Sequence, residues 1–435
     1  MNSIGDSGSV SLSAYSKLLR ENRNFRLLWF AQIVSELGDG LYTVVIYSLL
    51  LEFTGSAMSI ALAYVLQVLP QFFVAPAAGV LNDRLSRRRI MIFADWARAL
   101  IVSGMLLVRT PGAVWFLYVL LVLVTVMWAL FEPGRSALVP VITGQKQRLV
   151  ANSLSSATWS FNLAIGSALG GVVAAIFGRH TVFVVNALSF VASALLLGRM
   201  RVAEPHTEKA PPLRTRDLVD FTPIVEGIRY VRRDARTLAL MFVKCGLGLM
   251  GANWVILPLL GARVFPVRLE GLDPAASGVL GMSLLMGSRG IGSLVGPLIG
   301  GLVAGPSPNR LRQGILCGFL LAAAGYLALG VAPTMALACA AVVLAHAGGS
   351  TVWVFSTTLL QAQTEDRFRG RVFSAESAFH MLSTSTTGYL AGLVVDLGAR
   401  VRSVALATGV VMLVPLVAGS LLQRLWRGEE PAQTL

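Results

Sequence analysis

The chain has 435 residues, of which 55% are hydrophobic and only 13% charged. A soluble domain carries about 25% charged residues, and here the apolar residues fall into long blocks near the roughly 20 needed to cross a bilayer, which excludes a soluble globular protein. The formal net charge is +14, but the basic residues sit in short connections between apolar blocks, not on one soluble face, so nucleic-acid binding is excluded as well.

A polar head, 1–24, precedes the first apolar block at 25–50. No small-residue cleavage site follows that block, which makes it a retained span and not a signal peptide. Further spans are expected at 57–81, 90–108, 114–131, 154–177 and 181–200. A polar middle segment, 201–236, contains Pro205, Pro211 and Pro212. Within it, Ile224, Ile228 and Val231 recur at helical spacing among charges, the pattern of an amphipathic helix at a membrane surface; an ordinary solvated linker is the alternative. The second set of spans is expected at 238–260, 277–303, 314–331, 335–360, 375–397 and 403–426, before a tail at 427–435. The expected fold is therefore an all-α polytopic membrane protein. Its twelve transmembrane helices form two pseudo-symmetric halves of six, 25–200 and 237–426. Cys245, Cys317 and Cys339 each lie inside an apolar block, so no disulfide framework or metal pattern follows.

The charges then alternate in side. Lys17, Arg20, Arg23 and Arg26 lie in or beside the head, and 84–89, 135–148, the middle segment, 310–312, 367–371 and 424–427 supply basic residues at every second connection. The other connections hold only Arg109, Arg179, Arg263, Arg268, Arg400 and Arg402. The positive-inside rule places both termini and the middle segment in the cytoplasm of a cell (inner) membrane.

One string between the second and third spans is specific: Gly79-Val80-Leu81-Asn82-Asp83-Arg84-Leu85-Ser86-Arg87-Arg88. It resembles the loop signature of the major facilitator superfamily, with Asn82 in place of a small residue and Ser86 in place of the second glycine. Asp83 can pair with basic groups or cap a neighbouring helix, so Gly79, Asp83, Arg84, Arg87 and Arg88 are expected to form a conformational latch between the halves. The corresponding stretch of the second half, 300–312, keeps glycines and basic residues but has no acid. In the fifth span, Gly166-Ser167-Ala168-Leu169-Gly170-Gly171 resembles the antiporter signature of the superfamily; Gly166, Gly170 and Gly171 are expected to let helices approach closely, which small residues also do in membranes generally. Asp95-Trp96-Ala97-Arg98, the segment 131–152 and the segment 361–372 together resemble the branch that holds macrolide-efflux proteins and the enterobactin exporter. That resemblance implies efflux of a small molecule by alternating access and drug:proton antiport, with a single chain as the working unit and no cofactor. The fourth span, as bounded here, lacks the embedded arginine of many proton-coupled relatives, so coupling through such a residue is not carried over.

Ionisable residues inside a span are costly and point to function. Glu36 and Asp39, with Gln32 and Thr43, form a polar stripe on the first span. Glu376 and His380, with Ser383 and Thr387, form another on the eleventh. Asp39, Glu36 and Glu376 are the proton-coupling candidates; Gln32, Thr43, Asn253, Arg289 and His380 are the substrate-cavity candidates. The alternative for the first stripe is an ion pair with Lys244 or Arg289, and for Asp95 and Arg98 a structural pair. No phosphate-binding loop, nucleophile elbow or zinc motif is present, so neither an enzyme nor an ATP-driven pump is expected. The expected function is a secondary transporter, with small-molecule substrate, protons and the lipid bilayer as its partners. A lipid or lysolipid translocator on the same fold, and a non-transporting membrane sensor or assembly partner, are the alternatives.

Overall fold

A bilayer offers no water to backbone N–H and C=O groups, so a crossing segment must satisfy them internally as a helix. The computed structural model describes residues 12–204, 207, 218–305 and 307–427; Pro205, Pro211 and Pro212 lie outside them. A surface helix, α1 (Leu12–Glu21), leads into α2 (Arg23–Thr54), α3 (Ala57–Arg84), α4 (Arg87–Gly104), α5 (Val114–Phe177) and α6 (Arg179–Gly198). Helix α5 is two crossings in one: Gly144 breaks it with φ 65° and ψ −176°, a backbone conformation that glycine adopts without a Cβ penalty. After α7 (Thr222–Val231) come α8 (Ala235–Gly248) and α9 (Asn253–Leu259), joined with two tighter or wider turns into one broken span, Ala235–Val264. Then follow α10 (Pro274–Ala304), α11 (Pro308–Val331), α12 (Met335–Gln363), α13 (Asp366–Asp396), α14 (Val401–Val411) and α15 (Leu413–Arg427).

Among the described residues, 11 helical spans are long and apolar enough to cross a membrane, against the expected twelve. The difference is α13. Its 31 residues are long enough, but Glu376, His380 and the serines and threonines of 383–387 dilute its apolar character. A second difference concerns the fourth span, expected at 114–131 and observed at Pro111–Gly144. Glu132 beside Pro133 reads in sequence as the end of a helix. Inside a bundle the proline is tolerated because neighbours re-satisfy the backbone, and the helix continues. Glu132 and Arg135 therefore stand on a membrane helix and not in a connection.

Large apolar side chains such as Leu100, Leu302 and Val303 cover the outside of the bundle. In water such a surface would be an aggregation hazard. The halves meet through α2 and α5 against α10, and through α3 against α13. At the end away from Asp83 they are tied by hydrogen bonds. The Asp396 carboxylate, on α13, accepts from the Ala57 and Met58 N–H groups at 2.7 and 3.0 Å and from the Ser56 hydroxyl, capping α3 from the opposite half. Arg263 donates to the Gly55 carbonyl at 2.7 Å.

The middle segment holds on to both halves. Glu204 accepts from the Arg87 N–H at 2.8 Å and from the Ser86 hydroxyl, at the start of α4, and Phe221 packs on Phe72 of α3. Helix α7 then lies on α13: Tyr230 stacks on Phe368 at 4.4 Å, Glu226 pairs with Arg371 at 3.0 Å, and Ile224, Ile228 and Val231 turn into the core. The apolar face of α7 is thus spent on the protein itself.

Candidate functional site

Two cavities lie between the halves. The smaller, about 390 Å³, is lined by Glu36, Asp39, Thr43, Glu132, Arg135, Trp254 and others of α2, α5, α9 and α10. The larger, about 900 Å³, runs from Tyr64, Trp254 and Thr384 towards Ser136, Val139, Leu298 and Val354, the end of the bundle that carries Asp83.

The polar stripe of α2 is split by its own geometry. Glu36 and Asp39 lie three residues apart, and the helix turns them towards different neighbours. Glu36 accepts from Gln32 at 2.9 Å and from Asn162 at 3.2 Å. Gln32 is buried and does not reach the cavity expected for it; its side-chain oxygen accepts from Arg135 at 3.3 Å. Arg135 in turn makes a forked pair with Glu132, at 2.8 and 2.6 Å. The result is a chain of Glu36, Gln32, Arg135 and Glu132 joining α2 to α5. Asp39 instead faces Arg98, 4.0 Å away. Arg98 is buried between the rings of Phe131 and Phe190 and closely paired with Asp95, which also accepts from the Ser193 hydroxyl at 2.6 Å. One Asp39 oxygen, Oδ1, is buried with no hydrogen bond. The cation beside Asp39 is therefore Arg98, and Glu36 is linked to Arg135 through Gln32; neither acid pairs with Lys244 or Arg289 among the described residues. Thr43 lines the smaller cavity but gives its hydroxyl to the Asp39 carbonyl.

In the second half, Glu376 pairs with Lys244 at 2.8 Å, in a pocket where the ammonium sits 4.2 Å from the Trp353 ring centroid. His380 holds the Lys244 carbonyl at 2.8 Å and also lines the larger cavity. Ser383 and Thr387 donate to the Cys245 and Gly248 carbonyls, so that part of the second stripe faces α8 and not the cavity. Asn253 lines the larger cavity, with Oδ1 unpartnered. Arg289 lines it too, its guanidinium 3.7 Å from the Trp254 centroid. His346 is bonded to Tyr326 at 3.2 Å.

The loop motif works differently from the expected latch in this conformation. Asp83, in the last turn of α3, is exposed and among the described residues pairs only with Arg87, at 3.7 Å, the first residue of α4. Arg87 also reaches the Asn82 and Ala137 carbonyls, and Arg88 reaches those of Leu197 and Gly198. These arginines fasten α3 and α4 to α5 and α6 within the first half. Asn82, the residue that departs from the superfamily pattern, donates to Leu130 of α5 at 3.0 Å. Gly79 has open space where a Cβ would stand. In α5, Gly166 and Gly170 face the backbone of α2 at Gly40 and Leu41, and Gly171 faces Ser283 of α10. A Cβ on Gly166 would stand 2.9 Å from the Gly40 Cα, too close for a side chain.

The model of the transmembrane secretion effector family matches residues 13–433. The chain belongs to that family of the major facilitator superfamily. Macrolide efflux protein A of Streptococcus pyogenes is 24% identical over 390 residues, 86% of this chain and 89% of that protein. The class C tetracycline resistance protein of Escherichia coli is 28% identical over 367 residues, 81% of this chain and 84% of that one. Among solved structures, a bacterial homologue of the human lysosomal transporter Spinster matches with a TM-score of 0.67 at 14% identity, over 98% of this chain and 100% of that one. This major facilitator is thus a transporter of small molecules, not an enzyme. What sequence reading missed in it is Arg135. The signal was present in Phe131-Glu132-Pro133-Gly134-Arg135, where an acid and a base three apart can neutralise each other on one helix face.

Proposed function

We propose that this major facilitator is a proton-driven exporter of a hydrophobic drug, siderophore or secondary metabolite, working as a single chain by alternating access. The observation that carries the reading is the placement of Asp39 and Glu36. Each stands in the wall of a cavity between the halves and is tied to a cation on another helix, Asp39 to Arg98 of α4 at 4.0 Å and Glu36, through Gln32, to Arg135 of α5. A carboxylate in that position can exchange its cation for a proton when the cavity changes its exposure, and the cation is then free to bias the packing of the helices. Arg98, held by Asp95 as well, stays in place through the exchange.

In our reading the end bearing Asp83 is cytoplasmic, α13 is the twelfth crossing, the hydrogen bonds of Asp396 and Arg263 close the outer end, and the cavity faces the cytoplasm. Substrate enters there, and rocking of the halves breaks the Asp396 cap while Asp83 comes into contact with the second half. Asp39 is the primary proton carrier and Glu36 the reserve. The test is uptake into inside-out proteoliposomes under an imposed proton gradient, with a panel of hydrophobic drugs, siderophores and lysolipids. Asp39→Asn keeps shape and removes titration. It should retain binding of the transported compound and lose uphill accumulation by tenfold or more. Uphill transport by both Asp39→Asn and Glu36→Gln at the wild-type rate would make the stripe structural and move the coupling site elsewhere, first to Glu376.

A further inference from the structure

Three interior cations have an acid at contact distance: Arg98 has Asp95, Arg135 has Glu132 and Lys244 has Glu376. Arg289 has none among the described residues. Its Nε and Nη1 are buried and make no hydrogen bond. It is held instead against Trp254, which stacks on Tyr64 with centroids 5.0 Å apart. A guanidinium taken out of water without a counter-ion is costly, and an indole face offsets only part of that. The rest is left to what fills the cavity, water or a bound anion, and an anion supplies the missing charge that water does not.

The larger cavity gives the second observation. Among the described residues no aspartate or glutamate lines it, although it is walled by Tyr64, Trp159, Trp254 and Trp353 and holds both Arg289 and Arg135. Glu36, Asp39 and Glu132 all open on the smaller cavity. Acids and the uncompensated cation are thus segregated, and Arg135 is already neutralised by its forked pair. We infer that Arg289 is the receptor for an anionic group of the transported molecule, and that the substrate class is an amphipathic anion: a carboxylate or phosphate on an aromatic or otherwise apolar body. The planar fork of arginine fits both groups in a bidentate way. The aromatic walls take the apolar body, the usual division of labour in a ligand site. A cationic amphiphile of the same shape would meet Arg289 unfavourably. This inference deepens the transport reading and rests on it for the word substrate, but binding can be read without transport.

The experiment is titration calorimetry on the purified full-length chain with two matched pairs of probes. The first is a naphthoate and the corresponding naphthamide; the second is lysophosphatidylglycerol and zwitterionic lysophosphatidylcholine. Wild type should bind the anion of at least one pair about tenfold more tightly than its partner, the scale of a charged hydrogen-bond pair. The pair that shows the preference tells a soluble anion from a lipid headgroup. Arg289→Gln should reduce the preference to below about twofold and leave the neutral probe unaffected; Arg289→Lys should keep part of it, having the charge without the fork. Equal binding within both pairs in wild type overturns the inference, as does a preference that survives in Arg289→Gln. If that variant is not recovered folded, an undiminished preference in Arg289→Lys overturns the fork. Anion preference together with failed gradient-driven uptake would sink the transport reading alone, and the converse result would sink this one alone.

Discussion

At the scale of single residues, the interior is organised as cation–acid pairs whose members come from different helices or successive turns. Arg98 shows the consequence most sharply, because it serves two acids. It is buried against two phenylalanine rings, closely paired with Asp95, and 4.0 Å from Asp39. Removing one partner of a buried pair leaves a bare charge, at a cost of about 3–5 kcal/mol. Arg98→Met should therefore lower the amount of folded protein recovered and its melting temperature in detergent. The double variant Asp95→Asn, Arg98→Met removes the more deeply buried of the two acids left without a cation and should recover most of the lost abundance. It should still fail to accumulate substrate uphill, since Asp39 has lost its cation. Recovery of transport along with abundance would show that Arg98 is purely structural. The sequence made Asp95 and Arg98 legible as a pair, because three residues along a helix is a contact distance. That Asp39 joins them was not legible, since the contact depends on how α2 packs on α4 and no spacing encodes it.

At the scale of helices, the two ends of the bundle are built on the same device and are found in opposite states. Asp396 caps α3 from the opposite half, accepting from two backbone N–H groups and a hydroxyl, whereas Asp83 stands exposed, paired among the described residues with Arg87 alone. A side chain capping a helix start is worth about 1 kcal/mol, a small quantity beside global stability but enough to move an equilibrium between two packings about fivefold. Asp396→Ala should raise the labelling, by an impermeant thiol reagent, of a cysteine placed at Ser56 in a cysteine-free background, because the outer end opens more often. Asp83→Asn should leave abundance unchanged and slow transport severalfold, since its carboxylate is used only when the cytoplasmic end closes. Transport at the full rate with wild-type abundance would remove Asp83 from the cycle. Element existence was largely legible in the sequence, for apolar blocks of bilayer length have few alternatives. Their ends were not: the fourth span runs to Gly144 because Pro133 is accommodated within the bundle and Glu132 and Arg135 neutralise each other, facts that belong to the packed state. Similarly, α7 was legible as amphipathic, but its partner, α13, was not.

At the scale of the whole molecule, the distribution of charge and the closure of the bundle have to agree on direction. The end with 84–89, Arg310 and Arg371 is strongly basic, and the larger cavity extends towards that same end. If, as proposed, the positive-inside rule places this end in the cytoplasm, the cavity opens to the compartment from which an exporter loads. An importer in this orientation would show the same conformation when discharging; labelling reads the orientation, and gradient-driven uptake reads the direction. The structure also chooses the reporter positions. Ser277, near the start of the eighth span, is buried and bonded to Asp273, and is a poor probe. Glu270, a few residues earlier, is exposed on the same connection, and Asn309 is exposed on the basic side. With Cys245, Cys317 and Cys339 replaced, Glu270→Cys should react with an impermeant maleimide in intact cells. Asn309→Cys should react only after the membrane is permeabilised. Both variants change exposed residues, Glu270 in a connection and Asn309 in the first turn of α11, so each should insert as wild type does. Labelling of position 309 in intact cells, with position 270 protected, would invert the molecule in the membrane and turn the cavity to the outside, where an importer loads, against the proposed cytoplasmic loading of an exporter.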